Sequence, residues 1–168
     1  IELACGMDFN VNPMAAVIFW VNGNHMHFIA EYEIPNSDTQ YLCAFLREKY
    51  PDGKGNCRIR KVFPDASGAA RKTASAGGKS DFHHIRAAGF EIDAPAANPF
   101  IRDRENAVNG KMKPFDGPIT LTFEPTMKKV KSYMAKYTHE GRNKAEGKTM
   151  SHLLDAVGYP VHRLFPVH

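Results

Sequence analysis

Four side chains in this sequence have the chemistry and the spacing to bind divalent metal ions together. Asp8 ends a predicted strand in CGMDFNVNP, Asp65 comes two residues after another strand in VFPDASG, and Asp155 lies one turn into a predicted final helix. His152 precedes Asp155 by three residues and therefore lies on the same helix face. Carboxylate oxygens suit Mg²⁺ and Mn²⁺, and two such ions can stabilise the attacking and leaving oxygens in phosphodiester cleavage.

Each of the three acids also has an ordinary structural interpretation. Asp8 could simply hydrogen-bond the turn that it starts, and Asp65 stands in PDASG, which is a good turn sequence. Asp155 is harder to explain in this way, because apolar residues flank it in LLDAVG and an unpaired buried carboxylate is costly. Each signal is weak alone, and the prediction of a metal site depends on their occurring together on one strand order.

Other patterns that resemble metal or phosphate sites do not predict one. DFNVNP begins like a calcium-binding loop, but Pro13 occupies the position that needs glycine. TASAGGKS ends like a phosphate-binding loop, but Thr73 stands in place of its first glycine, so no ATP site is expected. His83 and His84 are expected on the polar surface of a helix. The sequence contains no CxxC pair that would indicate a structural zinc site.

The strands that position the four side chains follow from hydrophobic periodicity and turn signals. Three come first, IELACGMDF, AAVIFWV and HMHFIAEYEI, with the hairpin signal Asn22-Gly23 between the last two. The third alternates with period two from Met26 to Ile34. CRIRKVF and FEIDAP are predicted as the fourth and fifth strands, and ITLTFE as a short strand of an appended β element.

Helices are predicted between and after these strands. NSDTQYLCAFLREKY carries an apolar stripe, and shorter helices are expected from Asp81 and from Asn98-Pro99 onward. TMKKVKSYMAKY is expected to be a basic helix, and THEGRNKAEGKT a mobile loop. The final helix is expected to begin at Ser151 and to bend or break near Pro160.

The resulting order is β-β-β-α-β-α-β-α within a single domain, residues 1–168. It predicts an α/β protein with a mixed five-stranded central sheet, in which an antiparallel meander is followed by βα units, flanked by helices and carrying the added β element. This order resembles the ribonuclease H-like fold. In that fold the first strand lies beside the fourth and parallel to it, which would bring Asp8 and Asp65 to one edge of the sheet.

Charge is distributed unevenly along the chain. Residues 1–50 contain two basic and six acidic side chains, whereas residues 51–168 contain twenty basic and twelve acidic ones. A basic second part suits a polyanionic partner, although a merely solvated surface would give the same counts. The candidates for phosphate contacts are Lys128, Lys129, Lys131, Lys136, Arg142, Lys144 and Lys148. No apolar run approaches the roughly 20 residues that a membrane span needs, so no membrane partner is expected.

Four segments resemble the C-terminal nuclease domain of tailed-phage terminase large subunits. They are GMDFNVNPMAAVIFW, VFPDASG, GFEIDAPAANPFIRDRENAVNGKM and SHLLDAVGYPVHRLF, and they run across nearly the whole chain. The resemblance implies that Asp8, Asp65 and Asp155 bind the catalytic Mg²⁺ or Mn²⁺ ions, two in number, and that His152 lies beside them. The sequence departs from the family at Pro160, where the family continues an apolar helix.

The same resemblance implies a metal-dependent endonuclease that cuts concatemeric viral duplex DNA during genome packaging, in the cytoplasm of the host. Its partners would be the packaging ATPase domain of a longer protein, the terminase small subunit and the procapsid portal. Low sequence specificity is expected, because no base-reading module is recognisable. The alternatives are a Holliday-junction resolvase or transposase-like nuclease of the same fold, and a nucleic-acid-binding module without catalytic activity.

Overall fold

A mixed sheet of six strands organises the part of the chain that the structure describes. The structure is a computed structural model, and it describes residues 1–9, 12–71, 78–136 and 145–167, with the backbone alone for residues 145–151. The strands are β1 (Leu3–Asp8), β2 (Met14–Asn22), β3 (His25–Ile34), β4 (Ile59–Pro64), β5 (Glu91–Ile92) and β6 (Leu121–Phe123), in the spatial order β5-β4-β1-β2-β3-β6. β1, β2 and β3 form an antiparallel meander, and β1 pairs in parallel with β4. The strand order of the ribonuclease H-like fold is therefore confirmed.

The sixth strand is the added β element that the sequence predicted, and it extends the central sheet. β6 pairs in parallel with β3, and the Met26 N–H donates to the Thr120 carbonyl at 2.9 Å. The Glu124 N–H donates to the Phe28 carbonyl, also at 2.9 Å. These bonds satisfy backbone groups that would otherwise be unpaired at the edge of β3, so the central sheet grows from five strands to six.

Five helices cover the two faces of the sheet within the described residues. They are α1 (Thr39–Lys49) and α2 (Asp81–Ala87) on one face, and α3 (Ile101–Met112), α4 (Lys128–Lys136) and α5 (Ala145–Leu164) on the other. Phe19 packs with Val157 beneath α3, α4 and α5, whereas its neighbour Ile18 packs with Leu42 beneath α1. Both faces are covered, which explains the continuous apolar run of β2. Among the described helices, none is long and apolar enough to cross a lipid bilayer.

Two helices begin at residues other than those predicted. α3 begins at Ile101 rather than at Asn98-Pro99, because the Asn98 side chain is engaged in hydrogen bonds outside the helix. α5 begins at Ala145 rather than at Ser151, so the prediction of a mobile loop is wrong for residues 145–149. The earlier part of that predicted loop, residues 138–144, lies outside the described residues.

Of the bend or break predicted near Pro160, a break is wrong, because α5 continues through this residue to Leu164. Proline has no N–H for the carbonyl four residues earlier, which is that of Ala156. This carbonyl lies against β1, where a Cβ added to Gly6 would be 2.0 Å from the oxygen. The missing helical hydrogen bond thus falls where α5 packs closely on the sheet. Buried apolar side chains on both sides of the proline hold the helix in place.

An irregularity in the β2–β3 pairing changes the side of the sheet to which β3 side chains point. Ile18 pairs with Ala30 but Phe19 pairs with Phe28, so the intervening Ile29 is an extra residue. The period of two predicted from Met26 to Ile34 is therefore interrupted. Phe28 packs beneath α3, α4 and α5, whereas Ala30 packs on the opposite face.

This shift lets Glu31 and Glu33 anchor α4. The Glu31 carboxylate accepts hydrogen bonds from the N–H groups of Lys129 at 3.1 Å and Val130 at 3.2 Å, in the first turn of the helix. The Tyr133 hydroxyl donates to Glu33 at 2.7 Å. A carboxylate at a helix N-terminus is favourable, so these contacts fix where the basic helix begins on the sheet.

Candidate metal centre

Asp8 and Asp65 lie at the same edge of the sheet, at the carboxyl ends of neighbouring parallel strands. Met7 pairs with Pro64, so each acid is the next residue along its chain. The Asp65 N–H donates to the Met7 carbonyl at 3.0 Å and continues the pairing one step beyond β4. The placement that the fold resemblance implied for these two carboxylates is therefore observed.

α5 brings two further side chains to this edge. Asp8, His152 and Asp155 each present a ligand atom, and these three atoms all lie within 4.8 Å of one another. His152 Nδ1 is 3.7 Å from Asp8 Oδ1, and Asp8 is almost fully buried, with 5% of its surface exposed. Asp155 lies near the middle of α5 rather than one turn into it, because the helix begins earlier than predicted. His152 and Asp155 share a helix face, as their spacing indicated.

Asp65 lies outside this group of three but is held as an ionised carboxylate beside it. Its Oδ1 accepts hydrogen bonds from Asn98 Nδ2 at 2.6 Å and from the Ser67 N–H at 2.8 Å. Burial raises the pKa of Asp65, but the bonds from Asn98, Ser67 and Tyr159 outweigh burial and leave the pKa below its usual value. Asn98 Oδ1 also accepts the Ala66 N–H at 2.8 Å, which fixes the turn that carries the acid.

Arg104 on α3 brings a positive charge to Asp155. Its Nη1 lies 2.9 Å from Asp155 Oδ1, and its guanidinium lies 4.6 Å from the centre of the Tyr159 ring. Sequence reasoning missed Arg104, although a signal was present. Arg104 shares the buried stripe of α3 with Ala107, Val108 and Lys111, so it is a charged residue at a core-facing position.

Tyr159 on α5 lies among the three aspartates and was also missed. Burial raises the pKa of its hydroxyl, the charges of Asp8, Asp65 and Asp155 raise it further, and Arg104 opposes them. The phenol is therefore neutral at physiological pH and can donate its proton in a hydrogen bond to Asp65. The only sequence signal was its place one helical turn after Asp155.

The donor set fits a hard divalent cation. Carboxylates of like charge at one edge repel each other unless a cation lies between them. Asp155 is paired with Arg104, and the charges of Asp8, Asp65 and Asp155 all act on the Tyr159 hydroxyl, so the carboxylates are close enough together to favour a divalent ion. Carboxylate oxygens with one imidazole nitrogen are compatible with Mn²⁺ or Mg²⁺. Within the described residues, this is the one group of three or more metal-ligating side chains gathered closely enough to hold an ion.

The predicted phosphate-contacting residues have different outcomes. Lys128, Lys129, Lys131 and Lys136 are exposed on α4. Lys129 Nζ is 3.4 Å from Glu33 Oε1, so this lysine also helps to hold α4 against β3. Lys148 belongs to α5 and not to a loop. Arg142 and Lys144 lie outside the described residues, as does most of the TASAGGKS segment.

Comparison with solved structures places this architecture beside phage nuclease domains. The nuclease domain of the P22 large terminase matches with a TM-score of 0.66 and 15% identity, over 98% of this chain and 82% of that one. The nuclease domain of the SPP1 large terminase matches with a TM-score of 0.57 and 14% identity, over 98% and 88%. The large terminase of a thermophilic bacteriophage matches with a TM-score of 0.72 and 17% identity, over 98% of this chain but 39% of that one.

At these identities the likeness shows the fold, which is the ribonuclease H-like fold of terminase nuclease domains. The chain spans about two fifths of the large terminase from the thermophilic phage. No protein-family model matches the sequence, and no curated protein matches it.

Proposed function

We propose that this chain is a metal-dependent endonuclease that hydrolyses phosphodiester bonds in duplex DNA. The observation that carries the proposal is the group of ligand atoms on Asp8, His152 and Asp155, which lie within 4.8 Å of one another at the carboxyl edge of the sheet. The position of Asp65 directly after the adjacent strand β4 supports it. So does the likeness in fold to the SPP1 nuclease domain, which is described with bound Mn.

Each residue of the centre has a distinct role in this proposal. Asp8, Asp65 and Asp155 would hold the Mg²⁺ or Mn²⁺ ions, which we expect to be two in number. Such ions, when bound, lower the pKa of water and stabilise the charge on the phosphate in the transition state. His152 is more exposed than Asp8, 24% against 8% for the side chains, so it can orient the attacking water or support a ligand. Asn98 keeps the Asp65 carboxylate oriented toward the centre.

The exposed lysines of α4 provide the contacts to DNA phosphates. Asp8 pairs with Ala15, and Ala15 pairs with Glu33, so the contact between Tyr133 and Glu33 lies at the same end of the sheet as Asp8. Neighbouring strands are about 4.8 Å apart, which puts Glu33 roughly 10 Å from Asp8 along the sheet. Lysines at this distance can hold the backbone of a duplex whose phosphate occupies the centre. Such contacts position DNA without reading its sequence.

The biological setting of the proposal is genome packaging in a tailed phage. The substrate is concatemeric viral duplex DNA, and the place is the host cytoplasm during assembly. The longer protein would supply an ATPase domain, and the large terminase of the thermophilic phage is described in complex with ATP-γ-S and with ADP. A terminase small subunit and the procapsid portal complete the partners. In this setting the nuclease needs little sequence preference of its own, because its partners restrict where it cuts.

A substrate comparison in two cation conditions tests the proposed function. The protein is incubated with supercoiled plasmid and with a synthetic four-way junction, in Mn²⁺ or in EDTA, and the ends of cut plasmids are mapped by sequencing. Cleavage of the plasmid in Mn²⁺ alone, with dispersed ends on unrelated plasmids, supports a packaging nuclease. A strong preference for the junction would instead indicate a resolvase. Binding without cleavage in either condition would indicate a non-catalytic module.

A further inference from the structure

We propose that Arg104 is an internal counter-cation, which pairs with Asp155 while the centre is empty and leaves this carboxylate when a divalent ion binds. The inference rests on the proposed function, because it requires Asp155 to be a metal ligand. It assigns to α3 a role different from that of the proposed metal ligands, which lie on β1, directly after β4 and on α5. The role is to lower the affinity of the centre for metal while keeping the metal-free protein folded.

Arg104 and Asp155 form a direct ion pair that is largely shielded from solvent. Arg104 Nη1 donates to Asp155 Oδ1 at 2.9 Å, and the side chains are 8% and 14% exposed. A buried carboxylate needs a partner of opposite charge, and removing either member of such a pair is strongly destabilising. In the absence of metal, Arg104 therefore provides the positive charge that the buried Asp155 carboxylate needs.

The surroundings of Arg104 allow it to move. One face of its guanidinium lies over the Tyr159 ring, and a ring face permits sliding in a way that a second ion pair would not. Its Nε is buried and has no hydrogen-bond partner among the described residues. Arg104 and Asp155 also line a cavity of about 230 Å³ between α3, α4 and α5, in which Asn109 offers a side-chain acceptor. The guanidinium thus has space and a polar group to move toward.

Electrostatics gives the direction of the effect. A divalent ion beside Asp155 would lie within a few ångströms of the Arg104 charge, and like charges at that distance repel each other even under strong screening. Two states follow, one with Arg104 on Asp155 and one with the ion on Asp155. An ion must displace the guanidinium to bind fully, so Arg104 weakens metal binding in proportion to the strength of the pair.

The test is a calorimetric titration of Mn²⁺ into wild-type protein and variants of Arg104. In Arg104→Gln the competing charge is gone, and we expect Mn²⁺ to bind at least about fivefold more tightly. Arg104→Lys keeps the charge and should stay within about twofold of wild type. Arg102→Gln is the matched control. Arg102 is exposed on the same helix, and its substitution changes the net charge by the same amount.

Thermal unfolding gives a second readout that does not involve activity. Arg104→Gln should unfold about 5 °C or more below wild type in EDTA, because Asp155 loses its ion pair with Arg104. Saturating Mn²⁺ should raise its melting temperature by more than it raises that of wild type. Equal or weaker Mn²⁺ binding in Arg104→Gln would overturn the inference and would make Arg104 a residue that only orients Asp155.

A crystal structure of the wild-type protein with Mn²⁺ keeps the inference testable if Arg104→Gln does not fold. The distance from Arg104 Nη1 to Asp155 Oδ1 should then exceed about 3.5 Å, the limit of a hydrogen bond. An unchanged ion pair in the metal-bound protein would contradict the inference while leaving the proposed function intact. Wild-type protein that binds no Mn²⁺ at all would overturn both.

Discussion

Gly6 of β1 lies directly against the backbone of Ala156 in α5: a Cβ added to Gly6 would be 2.0 Å from the Ala156 carbonyl oxygen. Asp8 is two residues beyond Gly6 on the strand, and Asp155 immediately precedes Ala156 on the helix. The contact between these two residues therefore sets the separation of Asp8 and Asp155. Pro160 is part of the same arrangement, because it cannot donate a hydrogen bond to the carbonyl that faces Gly6.

A methyl group at residue 6 should push strand and helix apart. We expect Gly6→Ala to lower the free energy of unfolding by about 3 kcal/mol, because the added atom meets backbone that cannot rotate away. Mn²⁺ binding should weaken as well, since Asp8 and Asp155 separate. Urea unfolding and calorimetry measure the two effects. Gly110→Ala is the control: nothing lies within 4 Å of its added Cβ, and it should be neutral or stabilising by up to about 1 kcal/mol.

Asp8 and Asp155 should respond differently to neutralisation when metal is absent. Asp155→Asn leaves the buried Arg104 charge without its partner and should cost about 3 kcal/mol. Asp8→Asn removes one of several like charges and should leave stability unchanged or raise it by up to about 1 kcal/mol. Urea unfolding in EDTA compares them. Equal losses in both variants would show that the ion pair does not compensate the charge of Asp155.

Asn98 should strengthen metal binding, although its side-chain oxygen accepts a hydrogen bond from Ala66 and is not a proposed metal ligand. It donates to Asp65 and accepts from the Ala66 N–H, so Asn98→Ala releases the turn that carries the acid. We expect roughly tenfold weaker Mn²⁺ binding, in line with the effect of losing a residue that orients a metal ligand. Asn106→Ala, at an exposed position of α3, is the comparison and should bind Mn²⁺ within about twofold of wild type. Similar affinities in both variants would remove Asn98 from the centre.

The lysines of α4 should contribute to DNA affinity in a salt-dependent way. Neutralising Lys128, Lys131 and Lys136 together should weaken binding of all duplexes alike, and the slope of log affinity against log salt should flatten by up to about 0.9 per lost phosphate contact. The control changes two exposed residues near the opposite end of the sheet, Arg58 and Arg60. An equal loss of slope in the control would mean that α4 contributes only general positive charge.

Most of what the sequence predicted correctly depended on local patterns combined with a known strand order. Asp8 and Asp65 end apolar runs, so placing β1 beside β4 was enough to bring them to one edge. The helical spacing of His152 and Asp155 gave their common face directly. These relations depend on the strand period of two residues and the helix period of 3.6 residues, and both periods can be recognised directly in a sequence.

The residues that sequence reasoning missed make contacts that no local pattern encodes. Arg104 and Asp155 are 51 residues apart, and Asn98 and Asp65 are 33 apart. Their pairing depends on how α3 packs against α5 and how the segment before α3 folds back over β4. The extra residue at Ile29 likewise arises from the β2–β3 register and reverses the faces of β3 midway. Each of these features is a property of packing between elements, and periodicity within one element does not contain it.

The sharpest challenge to the metal centre is its complete removal. A variant with Asp8, Asp65 and Asp155 all changed to Asn is incubated with supercoiled plasmid in Mn²⁺, beside wild type. A control with the exposed Asp103 and Asp116 changed to Asn excludes effects of surface charge. We predict cleavage by wild type and control, and none by the triple variant, with EDTA abolishing cleavage throughout. Cleavage by the triple variant at the wild-type rate would contradict the account and place the nuclease centre elsewhere.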